Sequence, residues 1–250
     1  MTFMINDIYK QVEKNIDNLV DDGACFSIPV IREEIEEFKA TRMLSSKRLF
    51  LPPTEWIPPN IANMKVLLLA GAGGQQAPLF AAIGADVTVI DISDKMLEQD
   101  RIVAKRENLK INIQKGNIND LSRFDTGYFD LIINPPSLFY VPDVIPVFKE
   151  CYRVMKDSGI FIMSAPNPMD YIYDYDSEKD MYIARNKLPF ISYVHDKGCA
   201  DSGWVEYGHT LESYIGGQVN CGLCITGFYE DEKYVCNPFC TGFATRAVKC

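Results

Sequence analysis

The sequence predicts an α/β fold built on a buried parallel sheet, and three features of residues 64–101 indicate it. Val66 to Ala70 is a continuous apolar run, which is typical of a strand buried on both faces. A turn of small residues, Gly71-Ala72-Gly73-Gly74, follows, and a helical segment then ends at Gly84. A second apolar strand runs from Asp86 to Ile90, and Asp91 follows it about 20 residues after the turn, the distance expected in a nucleotide-binding βαβ unit.

The chemistry of this unit points to a cofactor that carries a nucleoside. Glycines let the backbone approach a ligand closely, and the N–H groups of a helix start face an anionic end. The carboxylate of Asp91, at the tip of the second strand, can accept hydrogen bonds from both hydroxyls of a ribose.

This segment resembles motif I of the class I S-adenosylmethionine-dependent methyltransferases, in particular a bacterial branch with a Leu-Ala-x-Gly-Gly-Gly-Gln-Gln core. Residues 129–135, 150–156 and 244–249 match further family segments in the expected order. Ala70 and Ala72 stand where the family usually has glycine. A nicotinamide-binding enzyme would prefer glycine at both places, so the alanines weaken that alternative more than they weaken the methyltransferase interpretation.

The resemblance implies a Rossmann-like class I methyltransferase fold: a seven-stranded, mostly parallel sheet with an antiparallel last strand and helices on both faces. It divides the chain into four parts. These are an N-terminal helical cap and linker (1–60), a cofactor-binding core (61–164), an insert after the fifth strand that serves as a possible substrate lid (165–208), and the last helix with a closing strand hairpin (209–250).

The N-terminal part contains two predicted helices. Residues 5–22 carry apolar side chains at helical spacing, and a second helix is predicted from Ile31 to Met43 with glutamates in its first turns. These helices have two alternative roles: they pack onto the sheet, or they form a lid over the cofactor.

The remaining elements alternate between helix and strand. Helices are predicted over 94–108 and 143–156, and a last helix begins near Thr210. Strands are predicted over 111–114, 129–133, 160–164, 225–230 and 241–248. In the insert, Tyr171, Tyr173 and Tyr175 alternate with acids as an exposed strand does, so a solvent-facing strand is the alternative to a lid.

The resemblance assigns S-adenosylmethionine as the cofactor and identifies a set of residues that hold it. The candidates are Trp56, Ala70, Gly71, Ala72, Gly73, Gln75, Asp91, Ile92, Met96, Asn117, Ile118, Asn134 and Pro135. Asn117 is expected to accept a hydrogen bond from the adenine amino group, and an Asx-turn that ends the strand is the alternative.

The candidate catalytic residues are Tyr140 and His209. His209 also fits a capping or packing role at a helix start. The Asn134-Pro135-Pro136-Ser137 turn resembles the Asn-Pro-Pro-aromatic motif of enzymes that methylate amide or adenine nitrogens, but Ser137 cannot stack on a target. The main hypothesis is therefore methyl transfer to a small-molecule acceptor. Nitrogen methylation of nucleic acid or protein, or cofactor binding without catalysis, are the alternatives.

The overall composition bounds the partners. The net charge of −9 disfavours nucleic acid, and no apolar run approaches the length needed to span a membrane. Without a signal-peptide pattern the expected location is the cytoplasm, and the oligomeric state is not indicated. Cys221 and Cys224, with Cys236 and Cys240, imitate zinc spacing, but opposite ends of a hairpin would separate the pairs. We therefore expect thiols and no metal, and no stable disulfide from Cys250 to the first pair.

Overall fold

The computed structural model describes residues 2–44, 52–193, 205–231 and 242–249. The strands are β1 (Lys65–Leu69), β2 (Asp86–Asp91), β3 (Ile111–Lys115), β4 (Phe129–Asn134), β5 (Met155–Pro166), β6 (Tyr173–Asp176), β7 (Met181–Ala184), β8 (Phe190–Tyr193), β9 (Val205–Gly208), β10 (Leu223–Asp231) and β11 (Gly242–Lys249). The α-helices are α1 (Thr2–Asp21), α2 (Arg32–Thr41), α3 (Gln76–Ala82), α4 (Asp94–Glu107), α5 (Ile145–Val154), α6 (Met169–Ile172) and α7 (Gly217–Asn220).

Seven of these strands form one sheet in the order β10-β11-β5-β4-β1-β2-β3. Strand β11 is antiparallel to both of its neighbours, and the pairs from β5 through β4, β1 and β2 to β3 are parallel. The seven-stranded, mostly parallel fold with an antiparallel last strand is therefore confirmed.

The apolar run in β1 serves both faces of the sheet. Leu67 and Leu69 point into a core that α5 covers, whereas Val66 and Leu68 point into a core on the other face that α2 and α3 cover. All four side chains are fully buried. Burial of each contributes about 1.5–3 kcal/mol, which explains why the run contains no polar residue.

Two predicted helices differ from the observed elements. The helix predicted over 143–156 ends at Val154, because Met155 already pairs with Phe129 at the start of β5. The helix predicted from Thr210 is a π-helical turn, Glu212–Gly216, that continues into the short helix α7.

The segment after β5 lies outside the main sheet. It contains α6 and two antiparallel hairpins, one of β6 with β7 and one of β8 with β9. The alternation of Tyr173 and Tyr175 with acids is indeed that of a strand, but Tyr171 belongs to α6. Among the helices that the structure describes, none is both long and apolar enough to cross a membrane.

Candidate active site

A cavity of about 260 Å³ lies at the carboxyl ends of β1, β2, β3 and β4. Ligands bind at this edge in open α/β sheets. The cavity is lined by Tyr9, Val12, Ile16, Phe26, Ala70, Ala72, Gln75, Gln76, Asp91, Ile92, Met96, Asn117, Ile118, Pro135, Pro136, Ser137, Phe139, Tyr140 and Val141. The structure thus brings together most of the residues that the sequence predicted for the cofactor, and adds a set from the N-terminal helix.

The loop after β1 turns sharply because several of its residues have positive φ. Ala70 and Ala72 have φ of 54° and 53°, and Gly74 has φ of 73°. A Cβ at Gly73 would lie 2.7 Å from Sδ of Met96, so only glycine lets this loop pack against α4. Gly71 and Gly73 shape the loop without lining the cavity, whereas Ala70 and Ala72 face it.

A buried carboxyl group holds this loop in place. The backbone N–H of Gly74 donates to Oδ1 of Asp100 at a distance of 2.9 Å. Asp100 is 1% exposed, and its burial raises the pKa of its carboxyl to about 8. The sequence analysis missed Asp100, since nothing in its helical segment distinguishes it from a solvent-facing acid.

Asp91 faces the cavity from the end of β2. Its Oδ1 accepts a hydrogen bond of 2.8 Å from the backbone N–H of Ser93. Burial, and to a smaller extent the nearby charge of Asp17, raise the pKa of Asp91 to about 7. A desolvated carboxylate that lines a cavity lacks the hydrogen bonds that water would give it. The two hydroxyls of a ribose would supply them, so this side chain fits the sugar of a nucleoside cofactor.

The neighbouring wall combines apolar surface with one amide. Ile92, Met96 and Ile118 provide a surface on which a flat base can pack. Oδ1 of Asn117 accepts a hydrogen bond of 3.2 Å from the N–H of Asn119, so the Asx-turn is present. The amide of Asn117 also lines the cavity, and its oxygen has a second lone pair for a ligand donor.

Helix α1 forms the side of the cavity that faces away from the sheet. Tyr9, Val12 and Ile16 line it at helical spacing, and Phe26 follows them after the helix. Gln75 anchors this part of the chain, because its Nε2 donates to the carbonyl of Cys25 at 3.0 Å and to that of Ile28 at 2.8 Å. The apolar stripe of α1 was visible in the sequence, but the stripe alone did not identify which surface it covers.

The end of the cavity beyond the loop is apolar and aromatic. It is formed by the turn after β4, where Pro136, Phe139, Tyr140 and Val141 line the space. Burial raises the pKa of the Tyr140 hydroxyl, so this hydroxyl is neutral and keeps its proton. Tyr140 thus presents a neutral side chain in the lining of the cavity.

Asn134 lies next to the cavity but does not line it. Its side chain is fully buried, and its Nδ2 donates to the carbonyl of Leu69 at 3.1 Å and to Oγ of Ser137 at 2.8 Å. Among the described residues its Oδ1 has no hydrogen-bond partner. The amide thus connects the two loops that border the cavity, and Pro135, Pro136 and Ser137 are the residues of this turn that line it.

Trp56 and His209 are not brought to the cavity. Trp56 packs over β10, where a Cβ at Gly227 would lie 2.9 Å from its indole ring. Nε2 of His209 lies 2.9 Å from the carbonyl of Val141, and burial lowers the pKa of the imidazole. His209 is thus a neutral packing residue that supports the turn after β4, and not a wall of the cavity.

The cysteines differ in part from the sequence analysis. Cys25, Cys151 and Cys221 are free thiols, whereas Cys224 is disulfide-bonded. The expectation of thiols was wrong for Cys224, because the spacing argument excluded only a shared metal site and the argument against a disulfide relied on an assumed redox compartment. Cys236, Cys240 and Cys250 lie outside the described residues. Within the described ranges, no group of three or more histidine, cysteine or acidic side chains is placed to hold a metal.

Comparisons with known proteins agree with this geometry. Residues 68–163 match the family described as Methyltransferase domain. The chain is 37% identical over 258 residues to the uncharacterized methyltransferase YbaJ of Bacillus subtilis (strain 168), with 98% of this chain and 100% of the relative covered. The chain belongs to the class I S-adenosylmethionine-dependent methyltransferases.

Further similarities of this methyltransferase are more distant. It is 26% identical over 126 residues to the ubiquinone biosynthesis O-methyltransferase of Xanthomonas oryzae, an alignment that covers 50% of the chain and 53% of that relative. The crystal structure of an S-adenosylmethionine-dependent methyltransferase from Mesorhizobium loti superposes with a TM-score of 0.63 at 18% identity, covering 78% of this chain and 94% of the other. This structural likeness supports the methyltransferase fold.

Proposed function

We propose that this methyltransferase transfers the methyl group of S-adenosylmethionine to a small, uncharged acceptor with an apolar body. The observation that carries the proposal is that one cavity is lined at one end by Asp91 and the loop after β1, and at the other end by the aromatic rings of Phe139 and Tyr140. A cofactor and an acceptor can lie end to end in such a cavity, which is the arrangement that in-line methyl transfer requires.

Each part of the wall has a role in cofactor binding. Asp91 accepts hydrogen bonds from the ribose, and Asn117 accepts one from the adenine amino group. Ile92, Met96 and Ile118 pack on the base, because they form the apolar surface beside Asp91. The loop at Ala70 and Ala72, with Gln75 and Pro135, contacts the methionyl part.

The acceptor is inferred from what the cavity lacks. Among the described residues that line it there is no lysine, arginine or histidine, and Asp91 is the one acidic side chain. An acceptor that carries a carboxylate would be buried without a cationic partner, which costs several kcal/mol. The relative from Xanthomonas oryzae acts in ubiquinone biosynthesis by its name, and a ring compound of that kind would suit this lining.

The bound cofactor supplies the reactive sulfonium methyl group, so the protein needs only to bind, orient and exclude water. Tyr9, Val12 and Ile16 of α1 cover the cavity and keep water from the reacting atoms. Tyr140, with its neutral hydroxyl, donates a hydrogen bond that orients the acceptor. The acceptor proton passes to solvent water as the methyl group is transferred, so no side chain of the cavity is assigned as a base.

Two alternatives receive less support from the geometry. In nitrogen methylation, the Asn134 amide would have to accept hydrogen bonds from a target amine, but this side chain is fully buried and does not line the cavity. The second alternative is a regulator that binds the cofactor without turnover. A screen for methyl transfer to a broad set of acceptors distinguishes it from an enzyme.

The role of Asp91 is tested by calorimetric titration with S-adenosylhomocysteine. Asp91→Ala is expected to weaken binding by about 100-fold or more, since two hydrogen bonds to a charged group contribute roughly 1.5–3 kcal/mol each. Asp94→Ala removes an exposed carboxylate nearby and should leave the affinity within about twofold. A near-normal affinity for Asp91→Ala would refute the assignment.

The charge of the acceptor is tested with a pair of phenols, 4-hydroxybenzoate and its methyl ester, of which only the first carries a carboxylate at neutral pH. Transfer of a labelled methyl group is expected to be at least about 100-fold faster, in kcat/KM, to the ester, because the acid buries an unpaired carboxylate. A preference for the acid would contradict an uncharged acceptor. Tight cofactor binding without transfer to any of a broad set of acceptors would favour the regulator.

A further inference from the structure

A chain of hydrogen bonds joins helix α1 to the acid that faces the cofactor. The hydroxyl of Ser93 donates to Oδ1 of Asp17 on α1 at a distance of 2.5 Å. The backbone N–H of the same serine donates to Oδ1 of Asp91 at 2.8 Å. Ser93 also begins α4, since its Oγ accepts from the N–H of Met96 at 3.0 Å. One residue therefore holds two carboxylates, one from the helix and one from the cavity wall.

We propose that Asp17 is a positioning residue that makes the docking of α1 depend on the occupation of the cofactor site. The proposal rests on the function proposed above, because it takes Asp91 as the acid that holds the ribose. In the free protein, ionised Asp91 and Asp17 repel each other across Ser93 and weaken the contact of α1. When ribose hydroxyls donate to Asp91, its negative charge is stabilised, and α1 can remain docked with both acids ionised.

The other charged groups near Asp91 do not neutralise this repulsion. Lys115, the sheet neighbour of Asp91 on β3, directs its Nζ to Glu13 at 2.6 Å and to Asp94 at 2.5 Å. From α4, Asp100 adds a second buried acid on the same side. The hydroxyl of Tyr9 on α1 accepts a hydrogen bond from Asn119. Asp17 is thus the acidic side chain of α1 that shares a hydrogen-bond partner, Ser93, with Asp91.

The contact also explains part of the unusual titration of Asp91. Burial is the largest cause of its raised pKa, and the charge of Asp17 raises it further. Cofactor binding favours the ionised form, so the affinity should increase with pH up to the pKa of free Asp91 and then become constant. Removing the charge of Asp17 lowers the pKa of Asp91, so the increase of cofactor affinity with pH occurs at lower pH.

Asp17→Asn tests this, because asparagine still accepts the hydrogen bond of Ser93 but carries no charge. The affinity for S-adenosylhomocysteine is measured by calorimetry between pH 5.5 and 8.5. The midpoint of the pH dependence is expected to fall by at least about half a pH unit relative to the unmodified protein. Asp21→Asn is the matched control, since Asp21 lies on the same helix and pairs with Lys95 instead of Ser93. An unchanged midpoint in Asp17→Asn, or an equal shift in Asp21→Asn, would overturn the proposal.

A measurement without cofactor separates this proposal from the proposed function. Hydrogen exchange of α1, expressed as protection relative to the intrinsic rate at each pH, should fall between pH 6 and 8 in the free protein. In Asp17→Asn it should stay constant over that range. If the unmodified protein does not bind S-adenosylhomocysteine, the proposed function fails, and this exchange experiment still decides on Asp17. Constant protection in the unmodified protein, or an equal fall in both proteins, would show that Asp17 does not act in this way.

Discussion

At the scale of single residues, two alanines adopt a backbone conformation that usually belongs to glycine. Ala70 and Ala72 have φ of 54° and 53°, which costs an L-residue roughly 1–2 kcal/mol. Glycine would avoid this cost, but it loses more conformational freedom on folding, by about 0.5–1 kcal/mol. The two effects partly cancel and leave a net advantage of about 0–1.5 kcal/mol for glycine, which is small enough for the loop to tolerate alanine where the family usually has glycine.

A glycine substitution in this loop should therefore not destabilise the protein. We expect Ala72→Gly to leave the free energy of unfolding unchanged or to raise it by up to about 1.5 kcal/mol, because the relief of strain equals or exceeds the entropy loss. Ala104→Gly in the last turn of α4 is the matched control and should lower the free energy of unfolding by about 1 kcal/mol. Urea unfolding measures both variants. Equal losses in the two would contradict the strained conformation of Ala72.

At the scale of elements, α4 supports the loop after β1 through one buried acid. Asp100 accepts the N–H of Gly74, and a Cβ at Gly74 would lie 2.9 Å from the carbonyl oxygen of Gln99. The loop therefore lies directly against the backbone of the helix. Because the carboxyl of Asp100 has a pKa of about 8, it is mostly protonated at neutral pH in the folded protein.

This protonation makes the contribution of Asp100 to stability depend on pH. The folded pKa lies above the unfolded value of about 3.9, so between these pH values the folded state binds more protons than the unfolded state. The contribution of Asp100 to the free energy of unfolding therefore falls as the pH rises towards 8. Asparagine at this position cannot titrate, so Asp100→Asn should gain stability relative to the unmodified protein as the pH rises from 6 to 9.

The comparison requires urea unfolding of both proteins at each pH, which removes the effect of all other titrating groups. Asp86→Asn serves as the control, because Asp86 is exposed at the start of β2. Its stability difference from the unmodified protein should stay nearly constant. If the Asp100→Asn difference is also constant, Asp100 is ionised in the folded state and the raised pKa is wrong.

At the scale of the whole molecule, the fold could be predicted because each level of the sequence indicates the same sheet. The apolar run of β1, the glycine turn and the order of the family segments agree with one another, and the strand order follows. Element ends were less certain. Met155 continues the helical spacing of α5 in the sequence, but pairing with Phe129 places it in β5.

The candidate site was predicted where it depends on motifs, and less well where it depends on tertiary packing. Asp91, Asn117 and the loop residues follow strands directly, so the topology of the sheet places them together. Trp56 and His209 depend on how distant segments pack, and both lie away from the cavity. The contribution of α1 could not be foreseen in detail, because an apolar stripe shows that a helix packs without showing against what.

The apolar side of α1 faces the cavity, so we expect the tendency of the enzyme to aggregate to depend on whether the cofactor site is occupied. On the proposed coupling of α1 to Asp91, loss of the ligand weakens the docking of α1 and exposes Val12 and Ile16 to water, and this apolar patch can attract a second molecule. Protein stored without ligand should therefore aggregate sooner than protein stored with S-adenosylhomocysteine, and light scattering over several days compares the two preparations.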